Sequence, residues 1–495
     1  MALAATGCSG SSKSGGAHPG SLTLLTVQDS RSLDPFRSAY VAVTDEPRMA
    51  ALYDPLMYID PTDGKVKPHL AQNLATSDGG ATWTLKLRSG VRFSDGTPFD
   101  AAAVKMNYDL HAKRETQSIH VQYALGLQTT VQDPQTLLIR PPKANPNFDR
   151  LVATHLTYIE APSALGKGLD VAGARPIGAG PFRLESWTRG SQQVFVKNEN
   201  YWQKDKGLPK LEKVTMKTVP DPQQQFTTVK AGGADMFYSS APDLLAKGRS
   251  ELQADEQKSL GGQTIQFNMN RPPFDDPRAR RAIALAIDPA DIPKTLGNGF
   301  VPAASYFNAS SPFFDPAQTQ PAPDKAEAQK IFDELAAEGK RVDFTFLVPK
   351  ATSQVPEYLQ SRLNTFRNVS VKVDSLEIGA YVVKYAIQRD YQAILTQGWS
   401  VDPEPELYQA FASSSVSNLI GWKSPAADAA LDAGRNSTDP AVRKQAYSDL
   451  QKALVTELPL FAYAESSIGP IFGKQVTGVV RYNSGTVFMD RLEVN

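Results

Sequence analysis

The string QGWSVDPEPELY, residues 397–408, concentrates the groups best suited to hold another molecule. Gly398 ends a predicted strand, and its missing side chain lets a second backbone come close. Trp399 offers a flat apolar wall. Asp402 follows in a turn beside Pro403, where a carboxylate either caps the turn or meets a cation. Once both leave water, an ammonium needs such a partner, because an unpaired buried charge costs several kcal/mol.

Other chemistry-bearing residues do not assemble into a reaction. The five histidines, His18, His69, His111, His120 and His155, form neither an HExxH motif nor a Cys/His metal cluster. No G-x-S-x-G elbow is present. The loop GAGPF lacks the Lys-Ser/Thr of a phosphate-binding loop and follows a Pro-rich stretch. A carboxylate pair of the glycosidase kind stays open, since acids are many and nothing selects two of them. Arg278, Arg280 and Arg281 read as a solvated helix face paired with nearby acids, or as a docking surface. No cofactor and no metal site is expected.

Composition narrows the class. The chain has 495 residues, too many for one domain of ordinary size, so two or three lobes are expected. Its 52 basic and 52 acidic residues balance, which removes the bulk-charge argument for nucleic acid. There is no apolar run of about 18 residues or more to span a bilayer. Cys8 is the single cysteine, so no internal disulfide can form. It lies between small residues and a Ser/Gly-rich stretch, and resembles the acylation site of a bacterial lipoprotein, with Ala5 where such sites usually carry Leu.

The elements that must position Asp402 are legible as alternation. A strand is predicted over 21–27, and a helix over 45–53 with Asp45 as its capping acid. A strand, a Gly turn and a second short strand follow over 81–93. A helix capped by Asp100 runs over 101–112. From Pro176 onward, hairpin, strand and helix alternate, including a helix capped by Asp276. This is the pattern of α/β lobes.

Several of these strings, in order, resemble one family. They are SLDP; the block ALYDPLMYIDPTDGKVKPHLAQNLATSDGGATWTLKLRSGVRFSDGTPFDAAAVKMNYD; PIGAGPFRLESW with NENYW; FNMNRPPFDDPRARRAIALAID; and GWSVDPEPELY. The family is that of the extracellular solute-binding proteins of ABC importers, family 5, and the likeness covers nearly the whole chain after Thr26. Ala179 stands where the family usually has Thr, and Ala103 where it often has an acid.

The resemblance implies an α/β, two-lobed, periplasmic-binding-protein-like fold (class II type) with an extra inserted subdomain. Residues 1–20 would be signal remnant and linker. Lobe I would take 21–50, 176–264 and 465–495, the insertion 51–175, and lobe II 265–464, with chain crossings near 265–270 and 461–467. It implies a peptide held between the lobes, its free α-amino group on Asp402, beside Gly398, Trp399 and Ser400. Further backbone contacts are expected at Gln28, Asp29 and Ser30 and at Asn268, Met269 and Asn270. Tyr53 and Trp422 line side-chain pockets or the core, and Lys350, or less directly Arg389, meets the ligand carboxylate. Partners would be a peptide or other small solute (a metal chelate, oligosaccharide or opine-like compound) and the membrane subunits of an ABC permease. The protein would work as a monomer, lipid-anchored through Cys8 on the outer face of the cytoplasmic membrane.

Overall fold

The computed structural model describes residues 20–297, 299–350, 354–398 and 401–495; Cys8, Trp399 and Ser400 lie outside them. Two mixed sheets dominate. In the first, Ser21–Thr26 lies between Lys213–Thr218 and Met236–Ser239, parallel to both. The hairpin Phe182–Thr188 with Gln192–Lys197 extends one side, and Ser467–Phe472 joins the other antiparallel. Leu22 and Leu24 enter one core and Leu25 another, so this central strand is covered on both faces. Three of its six residues are leucines, and they divide between those two cores.

The second sheet runs in the order Val369–Leu376, Val342–Pro349, Ala393–Gln397, Gln263–Phe267, Leu460–Ala464. Its first three strands are mutually parallel. The helices Pro277–Ala286 and Lys325–Ala337 pack on it through Ile283, Ile331 and Phe332. The chain passes between the sheets at 259–262, ahead of the expected 265–270, and returns at 465–466. A separate four-stranded antiparallel sheet, Ala71–Thr76, Trp83–Leu87, Thr136–Arg140 and Gln128–Asp133, has its own core with the helices Ala101–His111 and Phe148–His155.

Asp100 and Asp276 cap their helices, accepting from the N–H groups of Ala103 (2.9 Å) and Arg278 (3.0 Å). Asp45 does not cap Glu46–Leu52 with its side chain. Its carboxylate accepts from Ser30 Oγ at 2.7 Å and Ala39 N at 3.3 Å instead. The second strand expected before Phe93 shrinks to one bridge, Arg92 with Pro98. Arg280 is buried and donates to the carbonyls of Phe274 and Glu457, so it belongs to the lobe's framework and not to a solvated face. Arg278 does pair with acids, Asp276 and Glu338.

Candidate functional site

In open α/β sheets, ligands sit beyond the carboxyl ends of the parallel strands. Both sheets aim those ends at one cavity of about 480 Å³. From the first sheet come Val27 and Gln28, Pro220, and Tyr238 to Pro242; from the second come Pro349 and Leu395 to Gln397, joined by Gln263, Tyr381 and Tyr463. A larger hollow of about 730 Å³ belongs to the second lobe alone, and its charged lining is already paired in part, Asp276 with Lys340.

The inter-lobe cavity has no charged residue among its described lining. Its polar groups are amides and hydroxyls. Gln263 and Gln397 face each other as a cross-strand pair, which sets their side chains side by side. Gln263 is 2% exposed, and its Nε2 has no hydrogen-bond partner among the described residues. Burial pushes the Tyr381 phenol up to about 12, so it keeps its proton at neutral pH. The helix Pro242–Glu251 starts at this cavity, and its N-cap residue Ala241 has no side-chain cap to offer.

Asp402 occupies a different environment. It is 5% exposed and held by two guanidiniums: Arg443 Nη2 at 2.5 Å and Arg150 Nη1 at 2.9 Å. Arg443 comes from the helix Pro440–Glu457 of the second lobe, Arg150 from the inserted subdomain. Asn147 adds to this junction by donating to the carbonyls of Arg435 and Ser437. Asp402 also accepts from the Glu404 N–H at 3.0 Å, so the turn-capping reading holds as well. Among the described residues, both carboxylate oxygens of the buried Glu404 lack hydrogen-bond partners. Burial pushes that carboxyl up to about 8; Asp402 and Glu406 push the same way, while Arg435 and Arg443 oppose.

The other expected contacts divide. Gln28 lines the cavity, though its carbonyl is taken by Arg48 Nη2 at 2.9 Å. Asp29 is committed to the first lobe, accepting from Trp187 Nε1 and the Gly190 N–H. The Ser30 hydroxyl is held by Asp45. The N–H groups of Asn268, Met269 and Asn270 go to Gln392 O, Ile420 O and Asn268 Oδ1, which leaves no free donor there for an added strand. Gly398 N–H donates to Gly262 O at 3.2 Å, and a Cβ on Gly398 would sit 2.7 Å from Gly261 Cα. Its glycine therefore serves the expected close backbone approach.

Tyr53 and Trp422 are fully buried. Their polar atoms are spoken for, Tyr53 OH by Leu33 O and Glu160, Trp422 Nε1 by Glu457, so both are core residues and not pocket walls. Lys350 is 63% exposed and pairs with Glu377 at 2.6 Å, outside the cavity lining. Arg389 donates to the Val416 carbonyl. Sequence reasoning missed Gln263, Gln397, Ser239, Ser240 and Tyr381. One signal was available: in SSAPDLL, Pro242 opens a helix directly after Ala241, a residue that cannot cap. Among the described residues, no cluster of His, Cys, Asp and Glu could hold a metal, and no helix is long and apolar enough to cross a membrane.

Two lobes, an inserted subdomain and a cavity between strand ends define a solute-binding protein of the periplasmic type. The chain belongs to the bacterial extracellular solute-binding proteins, family 5, whose middle-region model matches residues 65–418. It is 28% identical over 446 residues to the glutathione-binding protein GsiB of Salmonella typhimurium, spanning 86% of each chain. A dipeptide-binding protein from Pseudoalteromonas sp. SM9913, solved with Met-Leu, superposes with a TM-score of 0.82 at 21% identity, over 96% of this chain and 100% of that one. AgaA from A. tumefacien R10, solved with agropinic acid, gives 0.82 at 21%, over 96% and 99%. The family binds solutes and is not one of enzymes, which removes the glycosidase class.

Proposed function

We propose that this protein captures a small peptide-like solute in the inter-lobe cavity and delivers it to an ABC permease, tethered outside the cell membrane by a lipid on Cys8. The observation that carries the reading is the cavity lining, in which Gln28, Gln263, Gln397, Ser239 and Ser240 offer donors and acceptors without fixed charge. Such a lining suits amide groups, which need hydrogen bonds on leaving water but no counter-ion. Relatives that bind glutathione or a dipeptide by their names support the same class. Closure of the lobes around the solute, by hinge motion at 259–262 and 465–466, lowers the radius of gyration on saturation.

The α-amino group of the solute goes to Asp402, displacing Arg150, the more exposed of its two partners. Arg150→Met then tightens free-amine peptides and leaves N-acetylated ones unchanged in a calorimetric titration. Equal effects on both forms would sink the Asp402 assignment. A second reading follows from the double pairing itself: a carboxylate already matched by two guanidiniums needs no ligand cation, and the solute is then one without an amine, as an opine-like compound can be. Under that reading wild-type protein does not discriminate free from acetylated amines.

A further inference from the structure

The inter-lobe cavity changes character along its length, because the strands that supply its walls stand at different distances from the chain crossings. We infer that the solute carries one apolar side chain, leucine- or phenylalanine-like, seated between Pro220 and Pro222 of the first lobe and Pro349 and Tyr381 of the second. This rests on the peptide-like reading above and adds to it a side-chain preference.

The chain crosses between the lobes at 259–262 and 465–466, so the strands beside those segments form the inner end of the cavity. In the first sheet, Ser467–Phe472 is followed outward by Met236–Ser239, Ser21–Thr26 and Lys213–Thr218. In the second, Gln263–Phe267 is followed outward by Ala393–Gln397, Val342–Pro349 and Val369–Leu376. The inner strands deliver Ser239, Gln263 and Gln397 to the lining. The outer ones deliver Pro220 and Pro222, just past Thr218, then Pro349, and Tyr381 on the helix Ile378–Val382. Hydrogen-bonding groups therefore gather near the crossings and apolar groups away from them. Tyr238 and Tyr463, at the inner end, are 4% and 3% exposed and belong to the cores of their lobes.

The four outer residues keep apolar surface in reach of solvent. Pro220 and Pro222 are exposed, and Pro349 and Tyr381 are half-buried. An apolar group placed between the two walls takes both of them, and itself, out of water. The Tyr381 ring is held ready for this. It stacks on Tyr385 (centroids 5.6 Å apart), which meets Tyr391 edge-on at 5.3 Å, and Tyr391 OH donates to Leu419 O. Charges close by in sequence are engaged. Asp221 caps the helix Pro222–Lys230 through the Gln224 N–H, Lys350 pairs with Glu377, and Lys384 pairs with Asp374. A charged solute side chain would find no counter-ion on the described lining, and losing water there would cost it more than an apolar one.

The test uses alanine-based di- to tetrapeptides in which each position in turn is glycine, leucine, phenylalanine, lysine or glutamate, titrated calorimetrically into the full-length protein. At one position, wild type should prefer leucine or phenylalanine over glycine by about tenfold or more. Binding of those peptides should also show a more negative heat-capacity change. Lysine and glutamate there should bind no better than glycine. Tyr381→Ser should weaken the leucine and phenylalanine peptides by about tenfold and the glycine ones much less, while Tyr381→Phe keeps the preference. Pro220→Ser, at an exposed position of the first lobe, should lower the same preference by about threefold, and it decides the matter if Tyr381→Ser does not fold. Equal affinity for glycine, leucine and phenylalanine at every position, or a preference that survives Tyr381→Ser, overturns the subsite while leaving the peptide-like reading intact. Binding of no peptide overturns both.

Discussion

The surroundings of Asp402 and of Gln263 lie at opposite extremes of polar chemistry, although one strand, Ala393–Gln397, leads from the second to the first. Around Asp402 charge is abundant and matched: two guanidiniums close on one carboxylate where the inserted subdomain meets the second lobe. Around Gln263 no charged residue lines the cavity among the described residues, and a donor is left unmatched there. The difference teaches that matched charge joins bodies of the protein at one point, where a solute enters only by displacing a partner, while unmet hydrogen-bonding capacity at the other is open to an incoming group. A search guided by charged residues alone finds Asp402 and misses Gln263 and Gln397.

The largest effect that could break this comparison is at Arg443. Arg443→Ala leaves Asp402 buried with one partner and should cost about 3–5 kcal/mol in denaturant unfolding. A loss below about 1 kcal/mol would mean that the pair behaves like a surface one. Glu404 comes next. Its folded pKa of about 8 lies above the ordinary carboxyl value, so the unfolded chain releases the proton first and stability falls as pH rises from about 4.5 to 8. Glu404→Gln removes that loss. Its unfolding free energy relative to wild type should climb between pH 5 and pH 8, at up to about 1.4 kcal/mol per pH unit. A difference that is flat with pH contradicts the buried, unpartnered carboxyl.

Gly398→Ala sharpens the link between the two regions. The new methyl meets the Gly261 backbone and should cost about 1–3 kcal/mol, measured by thermal unfolding. Unchanged stability would show that the two segments are not in close contact. The smallest effect is expected at Lys350, an exposed lysine paired with an exposed glutamate. Lys350→Ala should alter stability by less than about 0.5 kcal/mol and leave peptide affinity as it was. Affinity lost only for free carboxylates would return Lys350 to the site.

What the sequence made legible follows from how local each signal is. Caps at Asp100 and Asp276 and the core strand at Ser21–Thr26 depend on neighbours a few residues away, and they were readable. Asp402 was readable as a buried acid in a turn. Its partner Arg150 was not, because 252 residues separate them and only the packing of the inserted subdomain brings them together. Tyr53 and Trp422 have the types of pocket residues and the positions of core residues; burial, which no spacing reveals, decides between them. Gln263 sits in GQTIQF, a string whose alternation predicts a strand without saying that its first side chain opens onto a cavity. Asp45 precedes its helix as a cap should, yet Ser30 and Ala39, brought near by a loop, compete for the carboxylate and take it.

The central claim is that one small solute carrying amide bonds occupies the cavity between the lobes. Native mass spectrometry of protein purified without denaturation and then incubated with the peptide panel tests it most directly. The account predicts a single equivalent of bound peptide, released intact on denaturation, with Gln263→Leu showing reduced occupancy. Protein that stays at its unliganded mass across the panel, or that retains only a solute without amide bonds, would contradict it.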